Sequence, residues 1–163
     1  RPKRMVMTVQ REVADRLTAK PPRMSLLAVS VQYYGSVRLV GAVKAGAFWP
    51  RPEVDSAVIC IDVERRESTD GTDFTDEDSL QSVSSVKSVD SSSTSDESFF
   101  RVVRAGFSEK RKQLKNNLRQ LGPGDEAIAA ALEAAGIDGR RRAETLAVKE
   151  WEALVAALEQ THH

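Results

Sequence analysis

A chain of 163 residues with 40% hydrophobic content can enclose one ordinary core, or a small domain beside part of a larger one. Its formal net charge of zero conceals two opposed parts: between Glu67 and Glu97 nine acids meet Lys87 alone, a balance of minus eight that leaves plus eight on the remainder. No apolar run approaches the roughly 20 residues that span a bilayer, and Arg1-Pro2-Lys3-Arg4 leads into a short apolar stretch with no small-residue cleavage site, so no membrane role or export is expected and the chain reads as cytoplasmic.

Met5 to Gln10 has the length and composition of a buried strand, and Val13 and Leu17 recur at helical spacing over Arg11 to Ala19. Lys20-Pro21-Pro22-Arg23 interrupts the chain, because proline disfavours helix at its own position and at the one before it. Met24 to Tyr34 then predicts a second helix with Leu27, Val31 and Tyr34 on one stripe, stopped by Gly35. Two β-branched runs, Val37 to Val43 and Val54 to Val63, predict two more strands. Ala57 to Ile61 is apolar at every position, so that strand is expected inside a sheet covered on both faces, with Cys60 as a buried structural thiol in a reducing compartment. Three strands and two helices over residues 1–66 make the tail of a doubly wound α/β layer.

Residues 67–97 are acidic and Ser-rich, centred on Ser91-Ser92-Ser93-Thr94-Ser95, and lack the apolar density that offsets chain ordering. They are expected to form a flexible linker or insertion. Residues 98–163 are predicted to be all-α. Phe99, Phe100, Val103 and Phe107 mark one helix; Leu114, Leu118 and Leu121 mark a second over Glu109 to Leu121, ended by Gly122-Pro123-Gly124. Asp125 is placed as N-cap of an alanine-rich third helix with Ile128 and Leu132 on its apolar side, closed by Gly136. Val148, Trp151, Leu154, Val155 and Leu158 give the fourth its broad apolar stripe.

Two features carry chemistry. Lys112, Lys115 and Arg119 recur at helical spacing, and from Phe99 to Leu121 seven cations stand against Glu109 alone. Such an excess suits phosphate, with Asn116 and Asn117 as added donors, although a solvated helix face has the same pattern. Arg140-Arg141-Arg142 is a second cluster before the last helix, where arginine opposes the helix dipole and an external anion would relieve it. The other feature is the turn Ala47 to Ser56. Prolines 50 and 52 bracket Arg51 and hold the backbone extended, while Phe48 and Trp49 present π-faces at the carboxyl side of a strand. Loop packing and the stacking of an extruded base are both open there.

Ala47-Phe48-Trp49-Pro50-Arg51-Pro52-Glu53-Val54-Asp55-Ser56-Ala57-Val58 resembles the late catalytic-domain motif of the KsgA-type small-subunit rRNA adenine N6,N6-dimethyltransferases. Four further segments recur in that family in the same order: Val9 to Leu17, Leu26 to Gly35, Lys110 to Leu118, and Arg142 to Leu146. The resemblance implies the end of a Rossmann-like methyltransferase domain followed by a small helical domain that grips rRNA. It also implies two methyl transfers from S-adenosylmethionine to each of two adjacent adenosines of small-subunit rRNA, with the ribosomal small subunit as partner and a role in its biogenesis.

By the same resemblance Phe48 stacks the target adenine, and Pro50, Pro52, Val54, Asp55 and Ser56 shape its pocket. Arg51, Lys110, Arg111, Lys112, Lys115, Asn116, Arg119 and Arg142 are the candidate RNA contacts. The glycine-rich cofactor loop and the Asn-Leu-Pro-Tyr-type motif precede this chain in family order, so S-adenosylmethionine would be bound mainly elsewhere and the chain alone is expected to be inactive. No metal site is expected, and no oligomeric state is implied. The alternatives are a noncatalytic RNA-binding or ribosome-assembly module, and a macrolide-resistance-type methyltransferase acting on large-subunit rRNA.

Overall fold

The structure, a computed structural model, describes residues 2–64 and 91–160, the side chains of 91–95 excepted. The first part runs β1 (Arg4–Gln10), α1 (Arg11–Leu17), α2 (Leu26–Gln32), β2 (Gly35–Val43) and β3 (Ser56–Val63). The sheet order is β1-β3-β2, with β3 antiparallel to both neighbours. Strands β1 and β2 are therefore parallel to each other and joined through α1 and α2, while β3 returns between them. The three strands and two helices expected over residues 1–66 are present, with the central strand antiparallel to both neighbours.

Local chemistry explains the two helices. Ser25, extended at φ −130°, accepts a hydrogen bond from the Ala28 N–H and so caps α2. The Gln32 amide donates to the carbonyls of Leu17 and Ala19 at 2.8 and 2.9 Å, satisfying acceptors that the end of α1 leaves open. Helix α2 ends at Gln32, and Gly35 opens β2 rather than closing the helix. A Cβ there would lie 2.2 Å from the backbone oxygen of Asp62, so only glycine lets the two strands pair at that point.

Alternation along β3 sorts its side chains. Ala57, Ile59 and Ile61 join Ala14 and Leu17 in one core beneath α1 and α2. The opposite face carries Cys60, buried between Val6 and Arg38 of the flanking strands, yet Val6 is itself 62% exposed. Two expectations are corrected here. Among the described residues helices cover one face of the sheet, not both, and β1 is exposed along most of its length because β3 is its one strand neighbour.

The second part contains α3 (Ser91–Gly106), α4 (Leu114–Leu118), α5 (Asp125–Ala134) and α6 (Val148–Gln160). Helix α3 begins at Ser91, ahead of the expected boundary at 98; the remainder of the expected acidic linker, residues 67–90, lies outside the described residues. One apolar cluster runs from Ala28, Val29 and Tyr33 of the first part into Phe99, Val103, Leu118, Trp151 and Leu154 of the second. Tyr33 stacks on Phe99 at a ring separation of 3.9 Å, and the hydroxyls of Tyr33 and Tyr34 donate to the two oxygens of Asp96.

The helix expected over Glu109 to Leu121 is shorter. Residues 107–113 turn, α4 occupies Leu114–Leu118, and a 3₁₀ turn follows over Arg119–Leu121. The backbone N–H groups of Leu114 and Lys115 donate to the carbonyls of Arg141 and Gly139, so the start of α4 is capped by a distant loop instead of by a preceding helical turn. Asp125 is the first residue of α5 rather than its cap, which is Gly124, because its carboxylate is taken by Arg119. Gly136, at φ +67°, closes α5 as expected, with the Ile137 N–H donating to Leu132 O.

Candidate functional site

The turn between β2 and β3 leaves the sheet at the edge where β1 and β2 end. A 3₁₀ turn over Ala45–Ala47 leads into Phe48, whose backbone is extended at φ −112° and ψ 150°. Asp55 ties both ends of this turn together. Its carboxylate accepts from Lys44 Nζ at 2.8 Å and from the Ala45 N–H at 3.0 Å, while its carbonyl accepts from the Arg11 N–H at 3.0 Å. The Lys44 ammonium, and after it the Ala45 N–H, hold the Asp55 carboxyl below the usual carboxylate range.

Phe48 is 38% exposed and Trp49 is 97% exposed. Pro50 and Arg51 are exposed, Pro52 is half-buried, Val54 is exposed, and Ser56 begins β3 opposite Gln10 and Val43. The Trp49–Pro50 peptide is cis, and the chain bends over 48–50 and again over 53–54. The chain thus bends on either side of Arg51 and Pro52, which themselves carry no bend. Asp55, expected to shape the pocket, also fastens the turn. Phe48 remains a half-exposed aromatic ring on a fastened turn, able to receive a flat ring system.

The cations divide by partner. Lys112 is paired with Glu109 at 2.8 Å, and Arg119 grips Asp125 through two nitrogens at 2.8 and 2.6 Å. The stripe expected from Lys112, Lys115 and Arg119 is broken, since Lys112 stands in the turn before α4. Asn116 is exposed, whereas Asn117 is buried and donates to Gly106 O at 2.6 Å and Glu109 O at 3.0 Å, so it cannot serve as an RNA donor. Arg101, Arg104, Lys110 and Arg111 are exposed and form no ion pair among the described residues.

Arg141 is equally distinct from its neighbours. It binds Glu150 and Thr145 within the fold, which answers the unfavourable arginine before α6 with an internal anion. Arg142 stays exposed, 3.7 Å from Glu144. The hydrogen bonds from α4 to Gly139 and Arg141 bring the 139–142 loop against Lys115, joining two cationic segments that are far apart in sequence. Trp49 as a separate exposed ring, the Asp55 tie and the Arg141 pair have no local sequence signal.

Among the described residues no three His, Cys, Asp or Glu side chains gather as metal ligands, and no helix is long and apolar enough to cross a membrane.

A family model described as ribosomal RNA adenine dimethylase matches residues 1–87. The ribosomal RNA small subunit methyltransferase A of Dehalococcoides mccartyi (strain CBDB1) is 40% identical over 155 residues, covering 94% of this chain and 46% of that protein. The protein of the same name from Geobacillus thermodenitrificans is 40% identical over 160 residues, covering 94% and 47%. The chain thus spans about half the length of the curated relatives it matches. Among solved structures, a dimethyladenosine transferase from Plasmodium falciparum aligns with a TM-score of 0.71 at 18% identity, covering 98% of this chain and 58% of that one. The 23S rRNA methyltransferase ErmE aligns with a TM-score of 0.64 at 21% identity, covering 97% and 55%. At those identities the two structures establish the fold.

Proposed function

Since the chain belongs to the ribosomal RNA adenine dimethylase family, we propose that it contributes the carboxyl-terminal part of an enzyme that methylates two adjacent adenosines of small-subunit rRNA. S-adenosylmethionine is the methyl donor implied by the family. The small-subunit reading is favoured over a large-subunit one by the relatives named for the small subunit, which align along nearly the whole chain. Residues 1–66 and 98–163 are proposed as the end of the catalytic domain and a small helical RNA-gripping domain. An rRNA substrate fits a cytoplasmic site of action.

The observation that carries this reading is Phe48, half-exposed on a turn whose two ends Asp55 fastens at the strand termini. A base inside a folded RNA is modified only after it leaves its stack and is held against aromatic or apolar surface. A methyl sulfonium is a strong electrophile, so the amine needs orientation more than it needs a base of unusual strength. Fixing the adenine plane on Phe48 supplies part of that orientation. Lys110, Arg111, Lys115 and Arg142, all on the helical part, would hold the flanking phosphates.

S-adenosylmethionine is proposed to be held mainly by residues outside those described; Gly35, Gly106 and Gly139 are packed against Asp62, Trp151 and Lys115 respectively, while Gly41, Gly46 and Gly124 face open space. Trp151 Nε1, a buried side-chain donor with no partner among the described residues, lies in the helical core. No step is therefore assigned to cofactor contacts of this chain.

The test is methyl transfer by the full-length protein to unmethylated small ribosomal subunits, with the position of transfer mapped. Wild type should methylate adenosine N6, and Phe48→Ala should lower the rate at least about fivefold, from the loss of one base–aromatic stack. Transfer confined to large-subunit RNA, binding without transfer, or a fully active Phe48→Ala protein would each overturn the proposal.

A further inference from the structure

Phe48 and Trp49 are adjacent in sequence, yet none of the ring contacts in the structure joins the two. Phe48 is partly covered, whereas the Trp49 indole stands almost wholly in solvent. A single exposed apolar side chain is ordinary. Trp49, however, is the largest side chain type, it sits on a turn whose ends Asp55 fastens, and Phe48 and Val54 of the same turn are also exposed. An indole has two side-chain torsions to order on binding, so a base that stacks on it meets a small entropic cost.

We propose that Trp49 is a second stacking platform, which holds the nucleotide next to the adenosine on Phe48. This rests on the function proposed above, where the two target adenosines are adjacent. While one adenine occupies Phe48, the neighbouring base lies on Trp49 of the same turn. Arg51, exposed and without an ion pair among the described residues, is the cation available for the phosphate between them, because Lys44 is held by Asp55. Stacking tolerates any base, so Trp49 fixes the spacing of the pair and leaves the identity of the target to other contacts.

The experiment uses the full-length protein and an RNA hairpin whose loop presents two adjacent adenosines, together with two versions in which one or the other is an abasic ribose. Trp49→Ala should weaken binding to the intact hairpin roughly fivefold to a hundredfold, the range for one base–aromatic stack, and Trp49→Phe should recover most of it. On one of the two abasic hairpins, wild type and Trp49→Ala should bind equally. The thermal midpoint of Trp49→Ala should match wild type, since the indole is in solvent. Equal binding of Trp49→Ala and wild type to the intact hairpin, or a penalty that neither abasic change removes, would overturn the inference. Phe48→Ala separates the two readings. If it abolishes transfer while Trp49→Ala binds normally, the platform falls and the proposed function stands; if both variants behave as wild type, both fall.

Discussion

The guanidinium of Arg141 holds the carboxylate of Glu150 through two nitrogens, at 2.5 and 3.3 Å, and also donates to Thr145 O at 2.6 Å. Glu150 in turn accepts from the Ala147 N–H at 2.7 Å, which fastens the first turn of α6 to the loop that caps α4. Both side chains are about two-thirds covered. Arg141→Ala leaves the carboxylate without its partner and should cost about 2 kcal/mol of stability by urea unfolding, with little change in RNA affinity per folded molecule. Arg142→Ala should do the reverse.

The same pair sets an acid limit. Arg141, and less strongly the Ala147 N–H, hold the Glu150 carboxyl below its ordinary value of 4.5. The unfolded chain therefore binds the proton more readily than the native one. The pair's contribution is fully present above pH 4.5 and is lost as the pH falls below that value through the depressed native one. The stability difference between wild type and Glu150→Gln should be flat from neutral pH to about pH 5.5 and should shrink at lower pH. A difference that already changes between pH 6 and 8 would contradict this.

Asn117 faces two backbone carbonyls with its amide nitrogen, in a site closed to water. Asn117→Ala strands the Gly106 carbonyl and should cost roughly 1–3 kcal/mol in chemical denaturation. Asn117→Asp should cost more, because it turns an acceptor toward two acceptors. Neither should alter the salt dependence of RNA binding, which distinguishes a structural asparagine from an RNA contact.

Gly106 ends α3 against the helical core. A Cβ there would stand 2.3 Å from Trp151 and 3.1 Å from Leu114, so Gly106→Ala overfills a packed site and should cost roughly 1–3 kcal/mol. Trp151→Leu removes the obstructing ring at its own expense. The double variant Gly106→Ala/Trp151→Leu should therefore be more stable than the two single penalties added together predict.

Cations with and without protein partners should differ in their effect on RNA binding. Replacing Lys110 and Arg111 by glutamine should lower the magnitude of the slope of log affinity against log salt by about 2, if each meets one phosphate. Replacing Lys112 and Arg119, which already face Glu109 and Asp125, should change it by less than about 1. Equal slopes for the two double variants would show that the ion pairs do not decide which cations meet RNA.

Much of the fold is legible in the sequence because its signals are local. The β-branched runs around Leu39 and Ile59 form the paired strands β2 and β3, and the stripe from Trp151 to Leu158 forms α6. Glu109 to Leu121 was expected as one helix because its leucines have helical spacing, but spacing does not reveal that Leu114 and Lys115 find acceptors in the 139–141 loop. The Lys112 stripe failed with it. Met5 to Gln10 has the composition of a buried strand and lies exposed, since composition cannot say how many neighbours a strand has. The Phe48 turn was visible as aromatic and proline residues in series. Its division into a half-covered ring and a free one depends on the backbone torsions at Phe48 and on the Asp55 tie, which residue types alone do not disclose.

Tyr33 and Tyr34 reach Asp96 at the start of α3, and Tyr33 lies flat on Phe99 one turn later. This latch joins the end of α2 to the beginning of α3 without using the backbone that connects Glu64 to Ser91. Since the cost of closing a loop grows only by about 0.6 kcal/mol for each doubling of its length, insertions and deletions in that connection can accumulate without turning the helical part relative to the sheet. A single cut of the chain there should leave two pieces that stay associated and elute together. The orientation in which Phe48 and the helical cations would meet one RNA is thus set by contacts made in space, the Tyr33–Tyr34–Asp96 latch and the shared apolar cluster, and not by the peptide between them.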